Sequence, residues 1–487
     1  MPDPVGPCFA APGSDGPTVT RQAWEAALRA NPPALTLASL SHENEDGQTL
    51  APLHGPEDLA MLEHVTLADP PLAGPAAGWC VRQEPVSRDV AGLRRELADL
   101  AAWGQDVLPL RMDARAQNAE RAEDRAGSGA APRDPAAFAA LMNGLDLQQA
   151  TLELDAGAEP ARGMALLRAW GGPARLLVDW TRPALAAGRR PGPQAAAELA
   201  ELWRGAQAER VLLKTSGTAA HEAGATCGQE LALWLAAWTA CLRELEEEGA
   251  PLEVAVARGV HELAAGHEIF ETIAKLRAAR LLAARVLEAA GLPPGSRAIR
   301  LGARGSRRSL TRREPWTNLL RATLQGFAAS VGGAESLHLP GMDGSDDARR
   351  LAFNTQVILR EEALLGRVAD PARGSCHVEV LTARAAEAAW AHFQRIEAAG
   401  GLWAALAAGL PQGWIRLSRE ARQERLNQGR ECLVGTSAFL DPEGTAVETP
   451  LSIVGAPDLA GGGDFTPLAP RSLAEDFLAL RAREECP

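Results

Sequence analysis

The chain contains no tyrosine, so any chemistry that needs a phenol is outside the reach of its 487 residues. Tryptophan (12) and phenylalanine (9) carry the aromatic role alone. A basic excess is missing too. Lysine plus arginine number 49 against 62 aspartates and glutamates, for a net charge of −13, and a chain without a dominant basic face is not expected to bind nucleic acid. The seven cysteines (Cys8, Cys80, Cys227, Cys241, Cys376, Cys432 and Cys486) form no C-x-x-C pair, which predicts reduced thiols and neither a disulfide frame nor a zinc site. Nowhere is there an apolar run of about 18 residues, and the opening "MPDPVGPCFAAPGSDGP" lacks a basic start and an apolar core, so a membrane partner is not expected and the cytoplasm is the expected location.

What is present is a rhythm. After an expected N-terminal arm over 1–78, with a helix "TRQAWEAALRA" capped by Thr20, short apolar strands alternate with helical stretches from residue 79 to 370. The strands read "WCVRQ" (79–83), "DVLPLRM" (106–112), "ATLELDA" (150–156), "ARLLVDW" (174–180), "RVLLKTS" (210–216), "LEVAVAR" (252–258), "RAIRLGA" (297–303) and "ESLHLPG" (335–341). Eight such units predict an α/β fold, a closed (β/α)8 TIM barrel. Residues 371–487 read as a helical extension and linker.

The inward faces of these strands are unusual for a barrel, whose interior is normally filled by branched apolar side chains. Alternation along each strand turns Arg111, Glu153, Asp155, Asp179, Lys214, Arg300 and His338 toward the axis, three cations and three anions beside one imidazole. A register slip or a position at a strand end would put some of them in solvent. Otherwise the lumen is open to a polar ligand or closed by an ion-pair network, and the charge balance favours the network. After the seventh strand, "ARGSRRSLTRRE" places Arg304, Arg307 and Arg308 at the C-terminal rim, where they can hold CoA phosphates or face a partner.

Long ordered stretches carry a family resemblance. "AGATCGQELALWLA", "IAKLRAARLLAARV", "SRRSLTRREPWTNLLRATLQGFAASVGGAESLHLPGMD", "RLAFNTQVILREEALLGRVADPARGSCHVE" and "ECLVGTSAF" resemble the adenosylcobalamin-dependent acyl-CoA mutases, and within them the small (beta) subunits of methylmalonyl-CoA mutase. The resemblance implies a (β/α)8 barrel, and in catalytic members a following flavodoxin-like cobalamin domain. About fifty residues follow Phe439, so that domain is expected to be absent here.

The same resemblance marks three losses. Where catalytic members read G-Y-H-M-Q-E-A-G-A-T, with the histidine on the thioester carbonyl, this chain has Gly217, Thr218, Ala219, Ala220, His221 and Glu222. Thr218 stands for the tyrosine and Ala219 for the histidine. A methyl group cannot polarise a carbonyl, and His221 is expected to be structural, for instance at the helix start. Glu84 replaces the tyrosine that ends the first-strand pattern I-R-Q-Y-A-G. Nothing here is similar to the Q-N-D-I-L-K-E-Y segment, and Arg189 and Arg190 at that place read as a solvated loop. None of the nine histidines lies in the cobalt-binding pattern D-x-H-x-x-G.

These readings imply no catalytic, cofactor or metal residues in this chain. They imply a stabilising role beside a catalytic large (alpha) subunit that holds adenosylcobalamin and interconverts methylmalonyl-CoA and succinyl-CoA. The alternatives are a free-standing barrel subunit that uses a separate cobalamin-binding protein, and a barrel turned to another small ligand.

Overall fold

The computed structural model describes residues 20–30, 36–66, 78–87, 89–112, 130–147, 150–441 and 463–484. Its centre is a parallel sheet of eight strands: β1 (Cys80–Val81), β2 (Val107–Met112), β3 (Thr151–Asp155), β4 (Ala174–Val178), β5 (Val211–Ser216), β6 (Gly259–Ala265), β7 (Arg300–Gly305) and β8 (Ser336–His338). They pair in the order β1-β8-β7-β6-β5-β4-β3-β2, and helices on the outer side complete a nearly closed (β/α)8 barrel.

The seam between β1 and β2 is bridged by a side chain. The Gln105 amide accepts from Gln83 N at 2.9 Å and donates to Gln83 O at 2.9 Å, taking the place of one residue of ladder. At the upper end of the seam the two residues Ala130–Ala131 pair in parallel with Arg111 and Met112.

Seven of the eight expected strands stand where the sequence puts them, and the sixth does not. "LEVAVAR" alternates like a strand, yet Leu252–Ala257 is a helix that follows Pro251, and the strand is the next segment, "GVHELAA". Tertiary pairing overrides the local β-branched preference. Only with Gly259–Ala265 in the ladder does His261 turn outward to Trp234 and Trp238 while Glu262 turns inward.

The apolar core lies between the strands and the outer helices. Thr226 starts one of the two longest barrel helices, Cys227–Glu247, by a reciprocal capping box with Gln229. That helix and Ile269–Ala289 both pack against Cys376–Ala398, the first long helix beyond the barrel. Arg277 anchors this layer from full burial, donating to Asp370 at 3.1 Å, Glu379 at 2.8 Å and Thr382 at 3.2 Å. The arm is held on the same structure, for His64 meets Glu379 at 2.9 Å and the hairpin His42–Glu43/Thr49–Leu50 lies beside the start of Cys227–Glu247. No described helix is long and apolar enough to cross a membrane.

Candidate functional site

Inside the barrel the charged side chains meet one another. Glu84, directly after β1, receives Arg304 of β7 through both guanidinium nitrogens, with Nη1 at 3.1 Å from Oε2, and Arg111 of β2 at 3.2 Å. Arg304 also lies 3.3 Å from Glu262 of β6, and Lys214 of β5 approaches the same carboxylate at 3.3 Å. On the other side Arg82 reaches Glu153 of β3 at 2.5 Å. Arg182, just beyond β4, lies 3.4 Å from Asp155 and 3.5 Å from Asp179. Side chains from strands two apart, such as Glu84 with Arg304 and Arg82 with Glu153, can meet only across the interior.

Five cations (Arg82, Arg111, Arg182, Lys214, Arg304) thus face five anions (Glu84, Glu153, Asp155, Asp179, Glu262). His338 of β8 joins from the remaining strand, with Nδ1 at 3.3 Å from Arg82 O. Of the residues expected to face the axis, Arg111, Glu153, Asp155, Asp179, Lys214 and His338 are brought together. Arg300 is not. It opens β7 at the opposite end of the strand, exposed, and donates to Gly259 O at 3.2 Å and Ala257 O at 3.0 Å. Its face of the strand matches the expectation, but its level along the barrel does not.

The network holds its charge against burial. Burial by itself would raise the Glu84 and Glu262 carboxyls, but Arg111 and Arg304 beside Glu84, and Arg304 and Lys214 beside Glu262, hold both well below the usual carboxylate range. Burial pushes Asp179 up and Lys214 down, and lowers Arg111 to about 10. The His338 imidazole is driven down to about 3, by burial first and then by Arg304, so it is neutral.

At the C-terminal rim, after Gly217, Thr218–Glu222 is a short helix that buries Thr218, Ala220 and His221. Ser216 and Thr218 share a 2.7 Å hydroxyl contact, and Ala219 packs its methyl against the apolar core. His221 does not cap the long helix, whose cap is Thr226. Its Nε2 lies 2.8 Å from Ser306 Oγ and its Nδ1 3.4 Å from Glu230. Burial, then Arg308, pushes its pKa to about 3. A carboxylate only accepts, so Nδ1 donates to Glu230 and Nε2 accepts from the Ser306 hydroxyl. Both nitrogens are engaged inside the chain.

Two of the rim arginines are committed internally as well. Arg304 belongs to the lumen network, and Arg308 donates to Ala225 O at 2.9 Å and to Glu45 of the arm at 3.3 Å. Arg307, half-buried, presents its backbone N–H to Glu222 at 2.9 Å. Residues 463–473 then lie along this rim, where Phe465 N, Leu468 N, Arg471 N and Leu473 N donate to the carbonyls of Gly188, Leu185, Glu222 and Arg308. The strap therefore runs over the loops that follow β4, β5 and β7.

Asp46, Cys227 and Glu271 bring three ligand-type atoms within 4.8 Å of one another. The Lys275 ammonium already acts on all three, and burial holds the Cys227 thiol and the Glu271 carboxyl well above their usual ranges. A protonated thiol and a protonated acid are poor metal ligands.

Adenosylcobalamin, which the resemblance implies for the assembled enzyme, asks for a histidine aimed at cobalt and an open rim. This chain has no D-x-H-x-x-G, and its own strap occupies the described rim. These residues do not fit the group.

Four members of the network carry no strong sequence signal. Glu262 sits in the strand misread by its neighbour, Arg182 in a helix, Arg82 beside a strand of two residues, and Arg304 in an arginine cluster that reads as a phosphate site.

Residues 195–454 match the family model described as methylmalonyl-CoA mutase. Over 422 residues, 82% of this chain and 66% of the relative, the sequence is 35% identical to the methylmalonyl-CoA mutase small subunit of Streptomyces virginiae. It is 37% identical over 235 residues to the small subunit from Propionibacterium freudenreichii subsp. shermanii, covering 47% of this chain and 37% of that one. It is 36% identical over 254 residues to the methylmalonyl-CoA mutase of Cereibacter sphaeroides, covering 51% and 35%. The matched region thus spans less than two thirds of each of these relatives.

Proposed function

Because the chain belongs to the methylmalonyl-CoA mutase family, we propose that it is the non-catalytic small subunit of a two-subunit mutase. In this reading it binds and stabilises a catalytic large subunit, and the assembled enzyme interconverts methylmalonyl-CoA and succinyl-CoA in the cytoplasm. Residues 79–370 are then the barrel that corresponds to the substrate domain, 1–78 an arm that reaches toward the partner, and 371–487 a packing extension.

One observation carries the reading. The lumen charges are matched five to five by one another, so an entering acyl-CoA, itself an anion, would have to break ion pairs and leave the displaced carboxylates without cations. Glu84 is central to this. It stands at the tyrosine position of the family pattern and bridges Arg111 and Arg304. Ala219 adds that the carbonyl-polarising position holds a methyl group. A free-standing catalytic barrel would need both a donor there and an open axis.

Co-expression of this chain with a mutase large subunit is the test. The two are expected to co-purify in equal amounts, with isomerisation of methylmalonyl-CoA by the complex and none by this chain supplied with adenosylcobalamin. Turnover by the isolated chain, or purification without its partner, would overturn the reading.

A further inference from the structure

Helix Pro315–Val331, "PWTNLLRATLQGFAASV", follows β7 and lies on the outside of the barrel. Outer barrel helices ordinarily turn charged residues to water. The next one, Asp346–Val357, exposes Asp346, Asp347 and Arg350. Pro315–Val331 exposes none. Its single charged residue, Arg321, is buried and donates to Asn318 at 2.9 Å and Val434 O at 2.7 Å. Trp316, Leu320, Leu324 and Phe327 instead form a stripe at helical spacing, with Trp316 64% and Leu320 65% exposed. The threonines on the same helix turn their donors back onto the backbone, Thr323 Oγ1 to Leu319 O at 2.9 Å and Thr317 Oγ1 to Glu314 O at 2.5 Å.

The stripe continues beyond both ends of the helix. Arg321 holds Val434 against it, and Asp441 N donates to Glu314 at 2.9 Å, which brings the exposed Phe439 and Leu440 to the N-terminal end. Exposed Val368 shares a cavity wall with Ser330 at the other end. With aromatic side chains of about 150–250 Å² and these exposed fractions, the patch presents on the order of 800 Å² of apolar surface. That exceeds the roughly 300–600 Å² of the largest patch on a typical monomer and equals about one side of a standard interface.

We propose that the Pro315–Val331 face is where this chain docks onto the mutase large subunit, a proposal that rests on the small-subunit reading above. Charge selects this occupant over a second copy. Arg313 is exposed at the start of the helix, next to Arg312, which pairs with Glu475 at 2.9 Å, and Arg367 and Arg373 are exposed on the segment beside its end. A twofold pairing of this face with itself sets cation against cation whether the helices run parallel or antiparallel. The fitting partner presents an apolar ridge flanked by carboxylates.

The experiment compares the native chain with the double variant Trp316→Asp/Leu320→Asp and with Trp316→Phe as control. Association with the large subunit is followed by sedimentation, and folding by thermal melting. Both replaced side chains are exposed, so the melting temperature is expected to hold. Affinity is expected to fall about 100-fold or more in the double variant, as for central anchors of an interface, and little in the control. A folded double variant that binds like the native chain overturns the proposal. So does a native chain that forms a homodimer which the double variant abolishes. A native chain with no affinity for the large subunit overturns the small-subunit reading itself, and the native measurement taken alone shows which of the two has failed.

Discussion

Replacing Glu84 by alanine is expected to lower the stability of the chain by about 3–5 kcal/mol, the usual result of removing one partner from a buried ion pair. Glu84 is the only carboxylate within 4 Å of Arg111 among the described ion pairs, and one of two on Arg304. Its loss leaves the partly buried Arg111 guanidinium without a carboxylate partner among the described ion pairs. The cost therefore comes mainly from the stranded cation and less from the lost attraction. A second substitution separates the two. In Glu84→Ala/Arg111→Met the stranded charge is gone, and the double variant is expected to recover a large part of the stability lost by the single one. Urea unfolding of native, single and double forms measures this. Equal losses in the single and double variants would mean that the lumen charges do not depend on one another.

Acidification is expected to weaken the fold through its buried histidines. His221, His261 and His338 are each buried and held neutral, with pKa values near 3. In the unfolded chain they titrate near 6.5. Between these values the unfolded chain binds protons that the folded chain refuses, so stability falls as pH falls through that window. At pH 5 each histidine withdraws about 2 kcal/mol and the three together about 6 kcal/mol. Glu271, Asp46, Asp179 and Glu222, whose carboxyls burial raises, act in the opposite direction. The clean measurement is therefore a difference. Relative to His338→Gln, the native chain is expected to lose about 2 kcal/mol more between pH 7 and pH 5. Parallel pH profiles would show that His338 is protonated in the fold. The low-lying Glu84 and Glu262 contribute stability that is present above pH 4.5 and is lost only below it.

Most of the barrel can be read from residue order because parallel strands buried on both faces are dense in valine and leucine and are cut by glycine, proline and polar turns. The sixth strand escapes this. "LEVAVAR" has the stronger local pattern, and only the ladder to β5 and β7 selects "GVHELAA" instead. The lumen shows the same division. A period of two assigns a face, so Arg111, Glu153, Asp155, Asp179, Lys214 and His338 are legible, but it does not assign height. Arg300 and Arg304 share one face of β7, yet the first is at the solvent end and the second is in the network. Arg82, Arg182 and Glu262 depend on contacts between strands that are far apart in the chain. His221 was legible as a turn residue, while its Ser306 and Glu230 partners emerge only from folding.

An interior filled by its own ion pairs leaves the outside of the barrel as the part that acts, and Pro315–Val331, with its exposed stripe of Trp316, Leu320, Leu324 and Phe327, is the part that should bind. Ala219, which the family resemblance sets at the place of the catalytic histidine, packs against the core, and His221 beside it is satisfied by Ser306 and Glu230.

The most direct test is the number of CoA thioester sites in the complex, titrated calorimetrically on the assembled pair of subunits. A barrel closed by Glu84, Arg304 and their partners predicts a single equivalent per pair, bound by the large subunit, and no heat when the same thioester is added to this chain alone. A second equivalent in the complex, or saturable binding by the isolated chain, would mean that the lumen opens and that the chain is more than a structural companion.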